Sequence, residues 1–389
     1  MTIDKSRETR VIDVDPDETS TLLKKLIAVR SVNPSLDKTS SEKGVAELIA
    51  SELERFGLEV RLQKVSDDRF NVIGQLTGED PGRVIMLNGH TDTVNTKDPI
   101  PKPALDADGA MHGRGACDMK GGLAAMMLAL KKLKQSNRRL KASVQFSAVV
   151  DEEYLSVGTQ KLLTEYRPSA VIVGEPTELK LAVAQKGAQR FEIETFGRAA
   201  HGSAPELGID AIANMALVIQ KIGQLASIRV PNHPLLGAPR IHASTIEGGS
   251  GWNVVPDYCK LRVERRSLPG ESPSGLEIME QMLAELSAGN KDFSGRVRLV
   301  VDRKPMETSK TERLVTLMQD VVERVLGKRP ATTGVPYWTD AAHFAADHGI
   351  PTCIFGPGSV AQAHADDEYV SIDQVIKAAQ VYALVAELF

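Results

Sequence analysis

Apolar positions along the chain recur with two different periods. From Glu18 to Val29, and again from Glu42 to Phe56, they return every third or fourth residue. In the second stretch Val45, Leu48, Ile49, Leu53 and Phe56 share one face, and Gly57 stops the pattern. Leu58–Val65 has the character of a strand, and Val84–Leu87 is a short apolar run closed by Asn88, Gly89 and His90. Lys120, Gly121 and Gly122 open a third helical pattern, whose Leu123, Met126, Met127, Leu130 and Leu133 form a core face. Ser143–Val150 and Ala170–Val173 predict two more strands with a helix between them, and Cys353–Phe355 is a further apolar run. About the first fourteen residues read as a loose arm, and the Pro-rich stretch 98–103 as a surface loop.

Strands that alternate with helices predict an α/β architecture with a mostly parallel sheet. The stretch from about Gly187 to Val301 has a different rhythm. Phe191–Phe196 alternates as a strand, Ala211–Leu225 is helical, and His242–Glu247 and Tyr258–Arg265 are strand-like. Leu276–Leu286 is again helical, and Val297–Val301 a last strand. Two strands flanking each helix predict an inserted α+β domain over residues 187–302, with 1–186 and 303–389 forming one discontinuous catalytic domain. A length of 389 residues agrees, because it exceeds one typical core.

Composition narrows the field mainly by exclusion. The net charge is −4, from 47 basic and 51 acidic residues without a basic stripe, so neither a nucleic-acid nor a membrane partner is expected. No run approaches a membrane span, and the N-terminus lacks an apolar signal core. Cys117, Cys259 and Cys353 are odd in number and widely spaced, which argues against a disulfide framework and for a reducing cytoplasm. Cys117 reads as a small packing residue beside Asp118, with a ligand or nucleophile as the alternative. Aromatic residues are only 4% of the chain, so the adjacent Tyr337 and Trp338 mark a candidate substrate pocket, with plain packing as the alternative.

The candidate chemistry sits just beyond the apolar runs. His90 and Asp92 follow Leu87, Glu152 and Glu153 follow Val150, Glu175 follows Val173, and His364 lies in the loop after Phe355; Asp118 sits among the glycines of GRGACDMKGG. In parallel α/β sheets, sites form beyond the carboxyl ends of the strands, so these residues converge on one place. Two imidazoles with several carboxylates suit zinc, and also manganese or cobalt. His90 and Asp92 are two positions apart on extended backbone and point the same way, which makes His90 a ligand and Asp92 the group that orients its ring. Asp118 has two oxygens and can bridge two metals, or it can simply cap a helix. Glu152 and Glu153 diverge from each other, so one can bind metal while the other moves protons; a solvated acidic turn is the alternative. Together the set points to metal-assisted hydrolysis.

With these motifs assembled, the chain resembles the di-zinc hydrolase family of aminoacylase, acetylornithine deacetylase, succinyl-diaminopimelate desuccinylase and glutamate carboxypeptidase. The resemblance spans nearly the whole length: GHTDTV, GRGACDMKGG, the Asp-Glu-Glu turn, GEPT, HGSAPE, WNVVPD, RRSLPGE, TDAAHF and FGPG with AHADDEYV, in that family's order. It implies that His90 and Glu175 hold one metal, Glu153 and His364 the other, and that Asp118 bridges them, with zinc the expected metal. It makes Glu152 the general acid/base and Asp92 the partner of His90, and it implies a cis peptide after Asp118. The insertion resembles the family's lid and dimerisation domain, so a homodimer is implied. His201 would reach the neighbouring subunit's site, and Arg266 and Asn253 would hold the substrate's carboxylate and carbonyl. Glu264 stands where many members have Asp. Glu rather than Asp at 175 resembles the deacylases, so the implied activity is hydrolysis of an N-acyl amino acid. A carboxypeptidase or dipeptidase of the same family is the nearest alternative, and a non-catalytic metal-binding protein a more distant one.

Overall fold

A computed structural model of the chain describes residues 11–95, 102–136, 138–225 and 232–389. The expected surface loop at 98–103 lies mostly outside the described residues, as does most of the expected N-terminal arm. The end of that arm is not loose: Ile12 and Val14 are buried. Contacts divide the chain into two compact units, Met1–Val183 with Thr308–Thr333 and Thr339–Phe389, and Ala184–Glu307 with Gly334–Trp338.

The first unit is built on a mixed sheet in the order Glu59–Ser66, Arg69–Leu76, Ala142–Val149, Asp80–His90, Ala170–Val173, Thr352–Ile354. The last four of these strands run parallel to one another. The first two form an antiparallel hairpin, and its second strand pairs antiparallel with Ala142–Val149. The α/β expectation therefore holds in mixed form. The strand Arg69–Leu76 escapes a periodicity reading because Asn71 and Gly74 interrupt its apolar run. Register matters here: His90 stands opposite Val149, Asn88 opposite Val173, and Val173 opposite Ile354. The carboxyl ends of the parallel strands are thereby level, and the loops after them leave the sheet along one edge.

Helices cover the sheet. Pro16–Ala28 starts earlier than its apolar pattern, because Asp15 caps it by accepting a hydrogen bond from the Glu18 amide at 2.8 Å and Pro16 fits its first turn. Lys43–Arg55 ends at Gly57, which takes the left-handed conformation that favours glycine. Gly121–Gln135 is buried on nearly every side, Ala124, Ala125, Leu128 and Ala129 included, since it packs against the helices Pro16–Ala28 and Ile372–Leu388 as well as the sheet. A small ladder pairs Tyr369–Ser371 antiparallel with Ala110–His112, bringing the end of AHADDEYV beside the start of GRGACDMKGG.

The second unit is an antiparallel sheet in the order Arg240–Gly248, Tyr258–Arg266, Ala188–Phe196, Ser294–Arg303. The helices Ala211–Leu225 and Gly275–Gly289 pack on one face through Phe191, Ile193, Met215, Val218, Leu261 and Met279. Ser274 and Glu277 form a capping box at the start of the second helix. The other sheet face is an ion-pair lattice of Glu192 and Glu194 with Arg262, Arg296 and Arg298. Strand, helix, strand, strand, helix, strand is the α+β pattern the sequence predicts.

Candidate metal centre

The level strand ends of the first unit deliver His90, Glu152, Glu153 and Glu175 to one edge. Asp118 reaches them from the turn Ala116–Lys120, which enters through Gly115 in the left-handed conformation. The following helix can approach only because Gly122 has no side chain, since a Cβ there would lie 2.3 Å from the Gly174 carbonyl oxygen. The Asp118–Met119 peptide is cis. The helix itself begins at Gly121 with no side-chain cap, so Asp118 does not serve as its N-cap. Instead its two oxygens face two imidazoles. Oδ1 lies 3.0 Å from His90 Nε2, and Oδ2 lies 3.4 Å from His364 Nε2. Glu175 Oε1 is 3.6 Å from His90 Nε2, and Glu153 Oε1 is 3.1 Å from His364 Nε2.

The Asp151-Glu152-Glu153 stretch is no solvated turn: Asp151 and Glu152 are buried, Glu152 at 7% exposure. Two groups of donors lie within 4.8 Å of one another, His90 with Asp118 and Glu153, and His90 with Glu152 and Glu175. Glu152 thus stands within ligand reach as well as within reach of a reacting centre.

Asp92 orients His90 by a different atom from the one its side chain suggested. His90 Nδ1 is 2.9 Å from the Asp92 carbonyl oxygen and 3.5 Å from its carboxylate. A carbonyl only accepts, so Nδ1 carries a proton, which leaves Nε2, facing Asp118 and Glu175, as the nitrogen available to a cation. The carboxylate is used elsewhere. It accepts from the amides of Glu152 and Glu153 at 3.1 Å each and from Asn33 Nδ2 at 2.7 Å.

Burial and charge set the protonation tendencies. Burial disfavours the His90 imidazolium, but Glu175, Asp118 and Asp92 outweigh it and hold the pKa well above the ordinary value. Hydrogen bonds to Asp118 and Glu153 lift His364 to about 10. Burial also acts to raise Asp118, yet His364 and His90 together hold it low. Burial drives Glu152 and Glu175 well up, with neighbouring carboxylates adding to the effect, and it raises Glu153 as well. Carboxyls outnumber imidazoles in this buried cluster, and Asp340, which accepts from Thr159 Oγ1 at 2.6 Å, adds another close by. Divalent cations are the partners that such an excess of buried negative charge fits, and the N/O donor set suits zinc, cobalt or manganese.

Several residues that shape this centre carried no readable signal. Asn33 bridges Asp92 and Asp151, and Arg69 bridges Asp151 and Glu42, forming a buried polar chain behind the Glu152 turn. Glu368 accepts from Arg114 and from the amides of Gly115, Cys117 and Asp118. Asn33 and Arg69 look like ordinary loop and strand polar residues, and Glu368 sits in an acidic run, so spacing alone marks none of them. Cys117 is buried with its thiol pKa raised by burial and its Sγ 3.2 Å from the Ser359 carbonyl, as a packing residue would be.

His201, Asn253 and Arg266 belong to the second unit. His201 and Val254 pair in a two-stranded ladder, and the Asn253 carbonyl accepts from the Gly202 amide at 2.7 Å, so His201 and Asn253 are brought together. His201 is exposed, with Nδ1 2.7 Å from Ser203 Oγ. Of the paired arginines, Arg265 is buried and held by Glu271, whereas Arg266 is half-buried and pairs with Glu264 at 2.8 Å. Trp338 packs: its indole donates to the Lys304 carbonyl at 3.1 Å and Arg303 lies over its ring.

Comparison with known proteins identifies the family. The profile of peptidase family M20/M25/M40 matches residues 86–388. The chain is 32% identical over 376 residues to an acetylornithine deacetylase of Edwardsiella ictaluri, covering 91% of this chain and 93% of that one. It is 31% identical to an acetylornithine deacetylase of Photorhabdus laumondii, covering 90% and 92%. Among solved structures, the aminopeptidase PepT of Bacillus cereus superposes with a TM-score of 0.77 at 21% identity, covering 96% and 98% of the two chains. The YXEP protein of Bacillus subtilis, described as a dinuclear metal-binding peptidase, superposes with a TM-score of 0.74 at 18% identity, covering 96% and 98%. A profile match over most of the chain, and relatives above 30% identity across nearly all of it, place this protein in peptidase family M20/M25/M40, a family of metal-dependent hydrolases.

Proposed function

We propose that this protein hydrolyses the amide bond of an N-acyl amino acid, as a deacetylase or related deacylase, with two divalent cations, zinc first among them. The observation that carries the reading is the division of Asp118, one oxygen toward His90 and Glu175 and the other toward His364 and Glu153. In this reading His90 and Glu175 hold one cation, Glu153 and His364 the other, and Asp118 both. The cations, when bound, supply Lewis-acid polarisation of the amide carbonyl and acidify the attacking water.

The chain supplies the rest. Glu152 takes the proton from the attacking water on a carboxylate oxygen. It delivers that proton to the amide nitrogen as the carbon–nitrogen bond breaks, and the acid's remaining proton passes to the amine, leaving a carboxylate and an ammonium group. Asp92 holds the Glu152 and Glu153 amides and keeps His90 in the tautomer that presents Nε2. Arg266 grips the substrate's free carboxylate with its guanidinium fork, and Asn253 and His201 donate to carbonyl oxygen. N-acetylornithine is the first substrate to test, because the relatives at 31–32% identity are named acetylornithine deacetylase.

We assign residues 187–302 the roles of lid and dimerisation domain, and the assembly a homodimer. Support comes from the apolar surface of the second unit. Trp252 is exposed at 107%, with Leu207, Ile246, Val254 and Tyr258 also exposed, and Arg240–Gly248 is an edge strand. Such a surface, beside an open strand edge, suits association with a second copy. Three buried free cysteines fit a cytoplasmic protein, and among the described residues no helix is long and apolar enough to cross a membrane.

The test is a panel of N-acyl amino acids, varied in acyl group and side chain, run beside dipeptides. Hydrolysis of acyl substrates that a chelator abolishes and added metal restores is the expected result. Preference for dipeptides would move the protein to the peptidase branch, and no hydrolysis of any of them would leave a metal-binding protein.

A further inference from the structure

Glu368 is a buried carboxylate with no solvent role and no place in the reaction above. Its side chain is 1% exposed. Oε2 accepts from Arg114 Nη1 at 2.6 Å and from the Gly115 amide at 2.9 Å. Oε1 accepts from the Cys117 amide at 2.8 Å and the Asp118 amide at 2.9 Å. Its own carbonyl accepts from the Gly113 amide at 2.9 Å, and the Ala116 amide is satisfied within the turn by the Gly113 carbonyl at 3.0 Å. Four backbone donors in and just before the turn that carries Asp118, the amides of Gly113, Gly115, Cys117 and Asp118, are therefore gathered onto one residue.

That residue also lies four positions after His364. The segment 364–368 thus touches Asp118 at both ends, through the His364 ring 3.4 Å from Oδ2 and through the Glu368 carboxylate on the Asp118 amide. His364 itself is in the left-handed conformation, which turns the loop sharply. The strand that follows it, Tyr369–Ser371, pairs with Ala110–His112, so the Glu368 end of the segment is anchored beside the Asp118 turn.

We infer that Glu368 is the positioning residue for the cation pair: it fixes where the Asp118 carboxylate stands between His90 and His364, and so sets the affinity for both cations. The inference rests on the two-cation reading of the centre. The chemistry is selective for a carboxylate. Each of its oxygens serves two donors, so an isosteric amide fails at one end whichever way it is turned, because an NH₂ group accepts nothing. Groups that orient metal ligands change affinity by about 10- to 100-fold when altered.

The experiment is a zinc titration against a competing chelator with metal-free wild type and Glu368→Gln, alongside kcat and KM for N-acetylornithine at rising zinc. Wild type is expected to bind two zinc ions, and Glu368→Gln to bind them about 10- to 100-fold more weakly. Excess zinc should restore most of kcat, with KM little changed. Zinc affinities within about threefold of wild type would overturn the inference, whatever happened to stability or turnover, because a purely structural carboxylate leaves cation affinity alone. Should Glu368→Gln not fold, Glu368→Asp, which keeps the charge but withdraws it by one methylene, takes the same titration with the same two outcomes. Wild type that binds fewer than two zinc ions would instead overturn the two-cation reading itself, and the titration separates that case from the first.

Discussion

The buried chain behind the Glu152 turn makes a stability prediction with a definite sign. Arg69 donates to Glu42 from Nε at 2.8 Å and from Nη2 at 2.5 Å, and to Asp151 at 2.8 Å; the Glu42 and Asp151 side chains are 0% and 2% exposed. Arg69→Met keeps most of the stem's packing and removes the cation. Removing one partner of a buried ion pair costs about 3–5 kcal/mol, because the remaining charge is left buried. The loss depends on pH through Glu42. Burial outweighs Arg69 there and holds the carboxyl at about 7 against an ordinary 4.5. The folded protein therefore binds that proton more tightly than the unfolded chain. The contribution is full below pH 4.5 and is lost as pH rises through about 7. The difference, 7 minus 4.5 at about 1.36 kcal/mol per unit, is about 3 kcal/mol. Without Arg69 the carboxyl is harder still to ionise, so the variant's penalty is the full value near pH 8. Near pH 5 it is about half, where only the Asp151 contact is lost. Urea unfolding of both proteins at the two pH values, with chelator present so that cation binding adds nothing, measures it. A penalty that stays equal or grows toward pH 5 would refute the reasoning.

Glu152→Gln should lower kcat by at least about 10²-fold while zinc content stays at the wild-type level; loss of zinc would make Glu152 a ligand and exchange its role with that of Glu153. Arg266→Ala should raise KM for substrates with a free carboxylate by about tenfold or more, and for their amides far less, in line with a charged hydrogen bond of about 1.5–3 kcal/mol; equal effects would return Arg266 to its ion pair with Glu264. Inactive Glu152→Gln mixed with inactive His201→Ala should regain partial activity once subunits exchange, since one site then keeps Glu152 and borrows His201; heterodimers without activity would confine His201 to its own subunit, and a strictly monomeric protein would end the assembly proposal.

His90, Glu152, Glu153 and Glu175 were legible as one cluster because they lie two or three residues past the apolar runs Val84–Leu87, Ser143–Val150 and Ala170–Val173. Strand register then makes those ends level. The helical face of Leu123, Met126 and Met127 was equally plain, although burial on the helix's other sides was not. That burial depends on the Ile372–Leu388 helix packing against it, from some 240 residues further along the sequence. Arg69–Leu76 was missed because Asn71 and Gly74 are poor strand signals, yet Asn71 is fully satisfied by Gln63, Gly158 and Val150 once the hairpin forms. The use of the Asp92 carbonyl rather than its carboxylate could not be read from His-Thr-Asp, since spacing fixes which residues meet and not which atoms. Asn33, Arg69 and Glu368 act across tens to hundreds of residues, and no local period records such a partnership.

A late-emerging residue and an expected one share a logic. Asp92 and Glu368 are both buried carboxylates, and both spend their oxygens on backbone amides, Asp92 on the Glu152–Glu153 turn and Glu368 on the turn of Asp118. Accepting several amide hydrogen bonds favours the anion and fixes the path of the chain; it helps to hold Asp92 low, whereas burial still leaves the Glu368 carboxyl above its ordinary range. Such a carboxylate also stays out of the coordination sphere while being chemically indistinguishable from a ligand in the sequence. Rigid backbone at Asp118, Glu152 and Glu153 matters most where several carboxyls crowd together, because each must give up its proton beside the others to meet a cation. Anchoring the turns by their amides leaves the ligand oxygens free to face inward, so the centre is assembled by the fold and only completed by its cations.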